Sequence, residues 1–412
     1  MVHPPTPAAS QERSEKALKS AALKFVIMIG FVGFFADMTY EGSRSITGPY
    51  LAVLGASGFI VGFVAGFGEL LGYGLRLVSG RLSDKTGKYW PVTLFGYFIQ
   101  MPAVPLLALA GSWQLAAVFI ILERIGKAVR NPPRDVMLSH AASKIGRGWG
   151  FGVHEALDQS GALIGPLIAA WVFAVRGQYR PAFAVFLVPA VLTLCMIIGA
   201  RLIYPRPEDL EARPPDVEVG GLPRVFWLYL TGAVLVAAGF TDFSLAAFHF
   251  EKAGTIPSTW IPIFYSIAMA TSGLGSLVLG RLFDRVGVIV LVPLTLITSL
   301  FAPLVFLGGF GVALAGTALW GLGIGVHESI MAAVVAGMVP PQRRASAYGL
   351  FDTGYGVFWF LGSALMGFLY DTSLPALIVF SMVVELAAIP LFILVSRRSQ
   401  HVGMQAESIS NA

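Results

Sequence analysis

Gly80-Arg-Leu-Ser-Asp84-Lys85-Thr-Gly87-Lys88 returns later in the chain as Gly280-Arg-Leu-Phe-Asp284-Arg285-Val-Gly287. Each copy sits between two long apolar segments. A polar loop duplicated at matching places in two hydrophobic halves implies one six-helix unit used twice. Duplicated bundles of this kind hold their ligand site between the halves, near the bilayer midplane. The pattern points to transport and leaves little room for an enzyme.

Composition agrees. The 412 residues are 56% hydrophobic and 12% charged, where a soluble domain carries roughly 25% charged residues. Mean hydropathy is +0.75, and no soluble fold of this length has the interior to hide so much apolar surface. The single cysteine, Cys195, lies in an apolar run, which excludes a disulfide framework and a cysteine metal cluster. The net charge of +5 comes from basic residues spread over short loops. They form no patch interleaved with stacking aromatics, so no nucleic-acid partner is expected. The polar start of the chain lacks the short apolar core and small-residue cleavage site of a signal peptide, and the first apolar segment is expected to be retained.

A spanning helix needs about 20 mostly apolar residues. The stretches that approach this are Leu23–Tyr40, Gly58–Ser79, Val92–Ala110, Leu115–Val129, Phe151–Ala174, Phe183–Leu202, Val225–Ala247, Trp260–Leu279, Val288–Phe306, Val312–Ala333, Tyr348–Leu369 and Leu374–Val395. Their runs are continuous, without the period-two alternation of barrel strands. The expected fold is therefore an all-α membrane protein of twelve helices in two pseudo-symmetric six-helix bundles. A tail at 1–20 precedes a bundle at 21–204; a proline- and acid-rich linker at 205–222 leads to a second bundle at 223–396 and a tail at 397–412. Lysine and arginine crowd the termini and the even-numbered loops, and the opposite loops hold only Arg44, Arg176, Arg180 and Lys252. By the positive-inside rule both termini are expected to be cytoplasmic, and the expected location is a bacterial inner membrane. Two further pairs support the duplication. Phe35-Ala-Asp37-Met-Thr39 parallels Phe240-Thr-Asp242-Phe-Ser244, and Arg147 to Glu155 parallels Arg344 to Asp352.

Two six-helix halves, a central loop and Gly80, Leu82, Asp84, Lys85, Gly87 and Lys88 between helices 2 and 3 together resemble the major facilitator superfamily. Tyr89 stands at the last basic position of the family pattern. The second copy keeps Gly280, Leu282, Asp284, Arg285 and Gly287 and loses the trailing basic residues. The resemblance implies that this loop gates the cytoplasmic side, with Asp84 meeting the start of helix 11 around Ala345 to Tyr348. In helix 5, Gly152, Gly161, Gly165-Pro166 and Ala169-Ala170 resemble the superfamily's antiporter motif, which usually ends in Gly-Gly. The glycines would let helix 5 approach its neighbour and Pro166 would bend it. Export in exchange for protons follows from that motif. Glu123 to Asp135 resembles a run in a subgroup of bacterial superfamily permeases, while the helix-4 arginine of drug exporters has no clean counterpart. The resemblance implies a monomer that uses a proton gradient and no cofactor.

Ionisable residues inside spanning helices are costly and face the bundle interior or a water-filled path. Asp37 and Glu41 are four apart, on one face of helix 1. Glu69 and Arg76 lie in helix 2, Glu123, Arg124 and Lys127 in helix 4, Glu155 and Asp158 in helix 5. The second half offers Asp242, His327-Glu328, Asp352 and Glu385, so buried cations are confined to the first half. Three readings of this set stay open. Proton coupling needs a carboxylate that loads and releases on alternate sides, and Asp37, Asp242, Glu328 and Asp352 are its candidates. Asp242 leads, because no intramembrane cation is evident near it. Substrate binding draws on Glu41, Glu69, Arg76, Arg124, Lys127, Glu155 and Asp158. The third reading has Arg124 and Lys127 merely neutralising Glu155 and Asp158. His154-Glu155-Ala-Leu-Asp158 approaches the zinc-protease pattern but lacks its second histidine, so no metal is expected. No phosphate-cradling loop exists either.

The sequence reads first as a proton-driven exporter of a small organic solute working by alternating access. Proton-coupled uptake of an organic anion is the second reading, and a lipid or lipid-linked flippase the third. The topology is directly testable. A reporter fused after Ala412 should be cytoplasmic and one inserted near Gly177 periplasmic; the reverse would overturn the assignment.

Overall fold

Each of these apolar runs folds as helix in the computed structural model, which describes residues 7–205, 222–339 and 344–398. The predicted linker lies almost wholly outside the described residues. The first half comprises α1 (Pro7–Val53), α2 (Gly58–Thr86), α3 (Tyr89–Leu106), α4 (Trp113–Ile145), α5 (Arg147–Arg176), α6 (Tyr179–Ala184) and α7 (Leu187–Ile203). The second comprises α8 (Arg224–Gly239), α9 (Phe243–Ala253), α10 (Ile261–Val286), α11 (Leu291–Thr298), α12 (Phe301–Leu307), α13 (Phe310–Met338), α14 (Arg344–Thr372) and α15 (Leu374–Leu386), continued by helix at 389–398. Eight helical stretches among the described residues are long and apolar enough to cross a membrane. α4 is not one of them, because Glu123, Arg124, Lys127 and Arg130 interrupt its apolar run.

Local chemistry sets the ends. Ser57 and Ser112 cap α2 and α4, accepting from the N–H of Ile60 and Leu115 at 3.3 and 3.4 Å. Gly87 stops α2 at φ +64°, a left-handed value that suits glycine. Two boundaries differ from the sequence reading. The polar run Glu41-Gly-Ser-Arg44-Ser-Ile-Thr-Gly, expected to be loop, continues α1 to Val53. Its hydroxyls bond back to their own helix, Ser45 to the carbonyl of Gly42 at 2.6 Å and Thr47 to that of Ser43 at 2.8 Å. Likewise α4 runs through Pro132 and Pro133 to Ile145, so Arg130 and Arg134 lie on a buried helix face and not in a loop.

Helix 7 of the sequence reading is broken. α8 ends at Gly239, and Asp242, in extended conformation, caps α9. The exposed backbone groups find partners. Ser381 donates to the carbonyl of Gly239 at 2.7 Å, and the Trp320 indole donates to that of Thr241 at 2.8 Å. Interrupted helices survive at membrane depth only where protein meets their backbone needs in this way.

Within the first half α1 packs on α5 at backbone distance. A methyl group on Gly161 would stand 2.1 Å from the carbonyl oxygen of Phe34, and one on Gly165 2.2 Å from that of Met38. Gly152, expected to pack here as well, meets nothing within 4 Å and lines a cavity instead, at the end of the molecule where α5 begins, here called the terminal end. The halves join across α1 with α9, α2 with α14 and α5 with α10. At the opposite, distal end the contact between α2 and α14 is close. Cβ atoms built on Gly62 and Gly66 would lie 2.3 Å from the Ser363 carbonyl oxygen and 2.9 Å from Ser363 Cβ. There Asp371, at the end of α14, accepts from the N–H groups of Gly58 and Phe59, each at 2.8 Å. A carboxylate of one half thus caps the first turn of a helix in the other, where the helix dipole favours negative charge.

Asp371→Ala removes both acceptors and the cap, at a cost of about 1 kcal/mol or more, and should favour opening at the distal end by roughly fivefold to tenfold. In a Cys195→Ser background, Thr47→Cys, buried beneath that seal, should react faster with an impermeant maleimide added from the distal side. An unchanged labelling rate would show that the cap does not hold the seal.

Candidate functional site

Three voids lie in line between the halves. The largest, about 740 Å3, occupies the terminal half of the molecule among α1, α2, α4, α5 and α10. It leads to one of about 70 Å3 and then to one of about 20 Å3. Glu41, Arg76 and Lys127 line the first and second voids; Tyr40, Arg44 and Arg124 line the second and third. α1, α2 and α4 therefore supply polar groups along the whole path, and α5 adds Glu155 and Asp158 in the largest void.

Tyr40 organises the upper part. Its hydroxyl accepts from Arg44 at 3.3 Å and from Arg124, and the Lys127 ammonium stands 3.6 Å from its ring centroid, a cation–π contact. Glu69 Oε1 lies 2.8 Å from Arg124 Nη1 and 3.3 Å from Arg44 Nη2. Arg44 Nη2 also reaches Asp242 Oδ2 at 2.8 Å, while Asp242 Oδ1 accepts from the N–H of Ser244 at 2.8 Å. Glu41 accepts from the Tyr265 hydroxyl of α10 and lies 4.0 Å from Lys127.

A second ring lies nearer the terminal end. Fully buried Arg130 donates to Gln100 and, at 2.9 Å, to Tyr97; its Nη2 stands 3.7 Å from Asp37. Gln100 in turn donates to Glu123 at 2.8 Å. Asp158 lies 3.4 Å from His154 Nε2 and 3.9 Å from Arg134 Nη1, and its Oδ1 is buried without a hydrogen bond. Facing this ring, α10 presents Met269, Ala270, Gly273, Leu274 and Leu277. One wall of the chamber is charged, the other apolar.

Several expectations change. Asp242 is not the less paired acid: a first-half cation, Arg44, reaches it because α1 is longer than the apolar run alone predicts. Arg124 and Lys127 do not neutralise Glu155 and Asp158; they face Glu69 and Glu41. Glu155 accepts from Gln159 at 2.9 Å at the exposed mouth. Asp352 of α14 forms no ion pair among the described residues. Asp84, Lys85, Lys88, Asp284 and Arg285 are exposed, and Asp84 accepts from Tyr89 at 3.4 Å. The side chains of Ala345 and Ser346, expected opposite Asp84, and that of Glu328 lie outside the described residues. No group of His, Cys, Asp and Glu among the described residues is arranged to hold a metal ion. Sequence reasoning missed Tyr40, Arg44, Arg130, Arg134 and Tyr265. For Arg130 and Arg134 a signal existed, since helical spacing from Arg124 through Lys127 puts them near one face.

A family model described as Major Facilitator Superfamily matches residues 29–287 and 259–408. The chain belongs to this superfamily. It is a multi-pass membrane transporter. An uncharacterised protein of Mycobacterium tuberculosis is 43% identical over 376 residues, covering 90% of this chain and 92% of the relative. The multidrug resistance protein MdtH of Photorhabdus laumondii is 25% identical, covering 88% of each. Among solved structures the nucleoside transporter NupG shares the fold, with a TM-score of 0.73 at 14% identity over 89% of this chain and 100% of that one.

The Arg44–Asp242 contact of this transporter can be weighed by a mutant cycle. Either Arg44→Gln or Asp242→Asn should lower stability in detergent by about 1–3 kcal/mol, since each removes a buried charged partner while Glu69 still faces Arg44 and the Ser244 N–H still faces Asp242. The double mutant should lose clearly less than the sum. Additive losses in thermal unfolding would show that the two side chains do not depend on one another.

Proposed function

We propose that this transporter exports a small amphipathic organic solute in exchange for protons. The observation that carries the reading is the 740 Å3 chamber, open towards the terminal end, with carboxylates on one wall and an apolar surface on the other. A solute with a polar and an apolar part matches both walls, and pockets of this size suit small molecules. The likeness to a multidrug resistance protein and the antiporter-like glycines of α5 favour export.

Asp37 and Asp158 are the acids we assign to proton loading, in place of Asp242. Both face the chamber, and neither accepts a hydrogen bond from the arginine beside it, at 3.7 and 3.9 Å respectively. Asp242, in contrast, is held by Arg44 and by the N–H of Ser244. Solute entering beside Asp37 and Asp158 would compete with the proton for the same space, which is the requirement for exchange. Glu41, Glu69, Arg124 and Lys127 remain candidates for solute contact. Uptake of an organic anion is the second reading, supported by Arg76, whose guanidinium has no carboxylate partner among the described residues.

The test uses everted vesicles that maintain an internal acid gradient, challenged with a panel of amphipathic acids, amines and neutral drugs. Antiport predicts that at least one solute dissipates the gradient only when the protein is present. Asp37→Asn or Asp158→Asn should reduce that response by about tenfold or more while solute exchange without a gradient continues. Gradient-driven solute movement with both mutants coupled as in the wild type would move the proton site elsewhere, and proton-coupled uptake would refute export.

A further inference from the structure

We infer that the solute is an organic anion with an apolar body, docked by its acid group on Arg76 and admitted from the membrane through the slot between α5 and α10. The inference rests on the transport reading and gives its substrate a chemical class.

The first support is the pairing of the path's charges. Arg44 and Arg124 share Glu69, and Arg44 also holds Asp242; Lys127 faces Glu41, Arg130 faces Asp37, and Arg134 faces Asp158. Arg76 alone of the cations lining the two larger voids has no carboxylate within ion-pair reach among the described residues, and its Nε is buried with no hydrogen bond. Its guanidinium stacks 5.0 Å from the Tyr73 ring centroid, which fixes its position without neutralising it. Asp352 of α14 forms no ion pair with it either. Glu155 lies at the exposed mouth, whereas Arg76 lines the inner end of the chamber and the void beyond. A fixed guanidinium fork at the end of a closed path is suited to a carboxylate or another planar or tetrahedral acid.

The second support is the shape of the opposite wall. Leu274 and Leu277 line the chamber yet are 66% and 63% exposed. On the other side of the opening stand Ala156 and Ser160 of α5, small and exposed. Between α5 and α10 the chamber thus has a rim that is small on α5 and aliphatic on α10, the side on which we place lateral entry. A solute dissolved in the bilayer would pass its apolar body along α10 while its acid group turned towards Arg76.

The probe is radiolabelled 4-phenylbutyrate, with 4-phenylbutylamine and 4-phenylbutanol as competitors of equal apolar body. Binding to purified, reconstituted transporter is measured at equal pH on both sides, so the result does not depend on coupling or direction. Saturable binding at about millimolar concentration or below, with competition by unlabelled acid and not by amine or alcohol, is expected. Arg76→Gln should weaken it by at least about tenfold, the loss of one charged hydrogen-bond partner, and Arg76→Lys should restore part of it. Leu274→Ser with Leu277→Ser should weaken binding while keeping the preference for the acid. Repeating the assay in phosphatidylglycerol and in phosphatidylcholine separates two sources of the same chemistry: weaker binding in the anionic lipid marks a lipid headgroup as the occupant, equal binding a free solute. No saturable acid binding, equal competition by the amine, or wild-type affinity in Arg76→Gln would overturn the inference and leave proton-coupled export standing.

Discussion

The Arg44 guanidinium holds the centre of this molecule together. One nitrogen reaches Glu69 of α2 and Asp242 at the break between α8 and α9, so a single cation of α1 ties together both halves. Taking these charges out of water is expensive, and good geometry only roughly offsets that cost. The pair is therefore a positional device more than a source of stability. It requires α1 to run on past Tyr40, helix 7 to break at Gly239, and Ser381 and Trp320 to satisfy the carbonyls that the break releases.

The rest of the path follows from this division of labour. The first half carries all the cations of the voids, and the second contributes Asp242, the Tyr265 hydroxyl and an apolar face on α10. When one half moves against the other, the ion pairs within the first half can persist. The contacts that cross the interface, the Arg44–Asp242 ion pair and the hydrogen bonds to Asp371 and from Tyr265, must be remade. Alternation between two packings is thus concentrated in a few contacts and not spread over the whole charged ring.

Much of the fold was legible because the duplicated loop and the long apolar runs are strong signals, and because their period-free character excludes a barrel. The site was less so. Helix ends were placed where hydropathy falls, but a polar run facing a charged interior is as helical as an apolar one facing lipid. That confusion put Arg44 in a loop and left Asp242 without a partner. Asn131-Pro132-Pro133 gave the same false ending to α4 and hid Arg130 and Arg134, although prolines within membrane helices are tolerated where neighbours take up the freed groups. The paired acids Asp37 and Glu41 were correctly placed on one face, since i to i+4 spacing needs no tertiary information. Which cation met which acid was invisible, because it depends on the rotation of whole helices.

The glycines of the distal contact have a consequence for leakage. Where Gly48 meets the carbonyl oxygen of Ser244, a methyl group would have only 2.0 Å of room, and Gly62 meets Ser363 at 2.3 Å by the same measure. Backbone lies against backbone at these two positions, and a contact that close leaves no room between the helices for a column of water. The tightness of that end is set by the smallest residues in the chain.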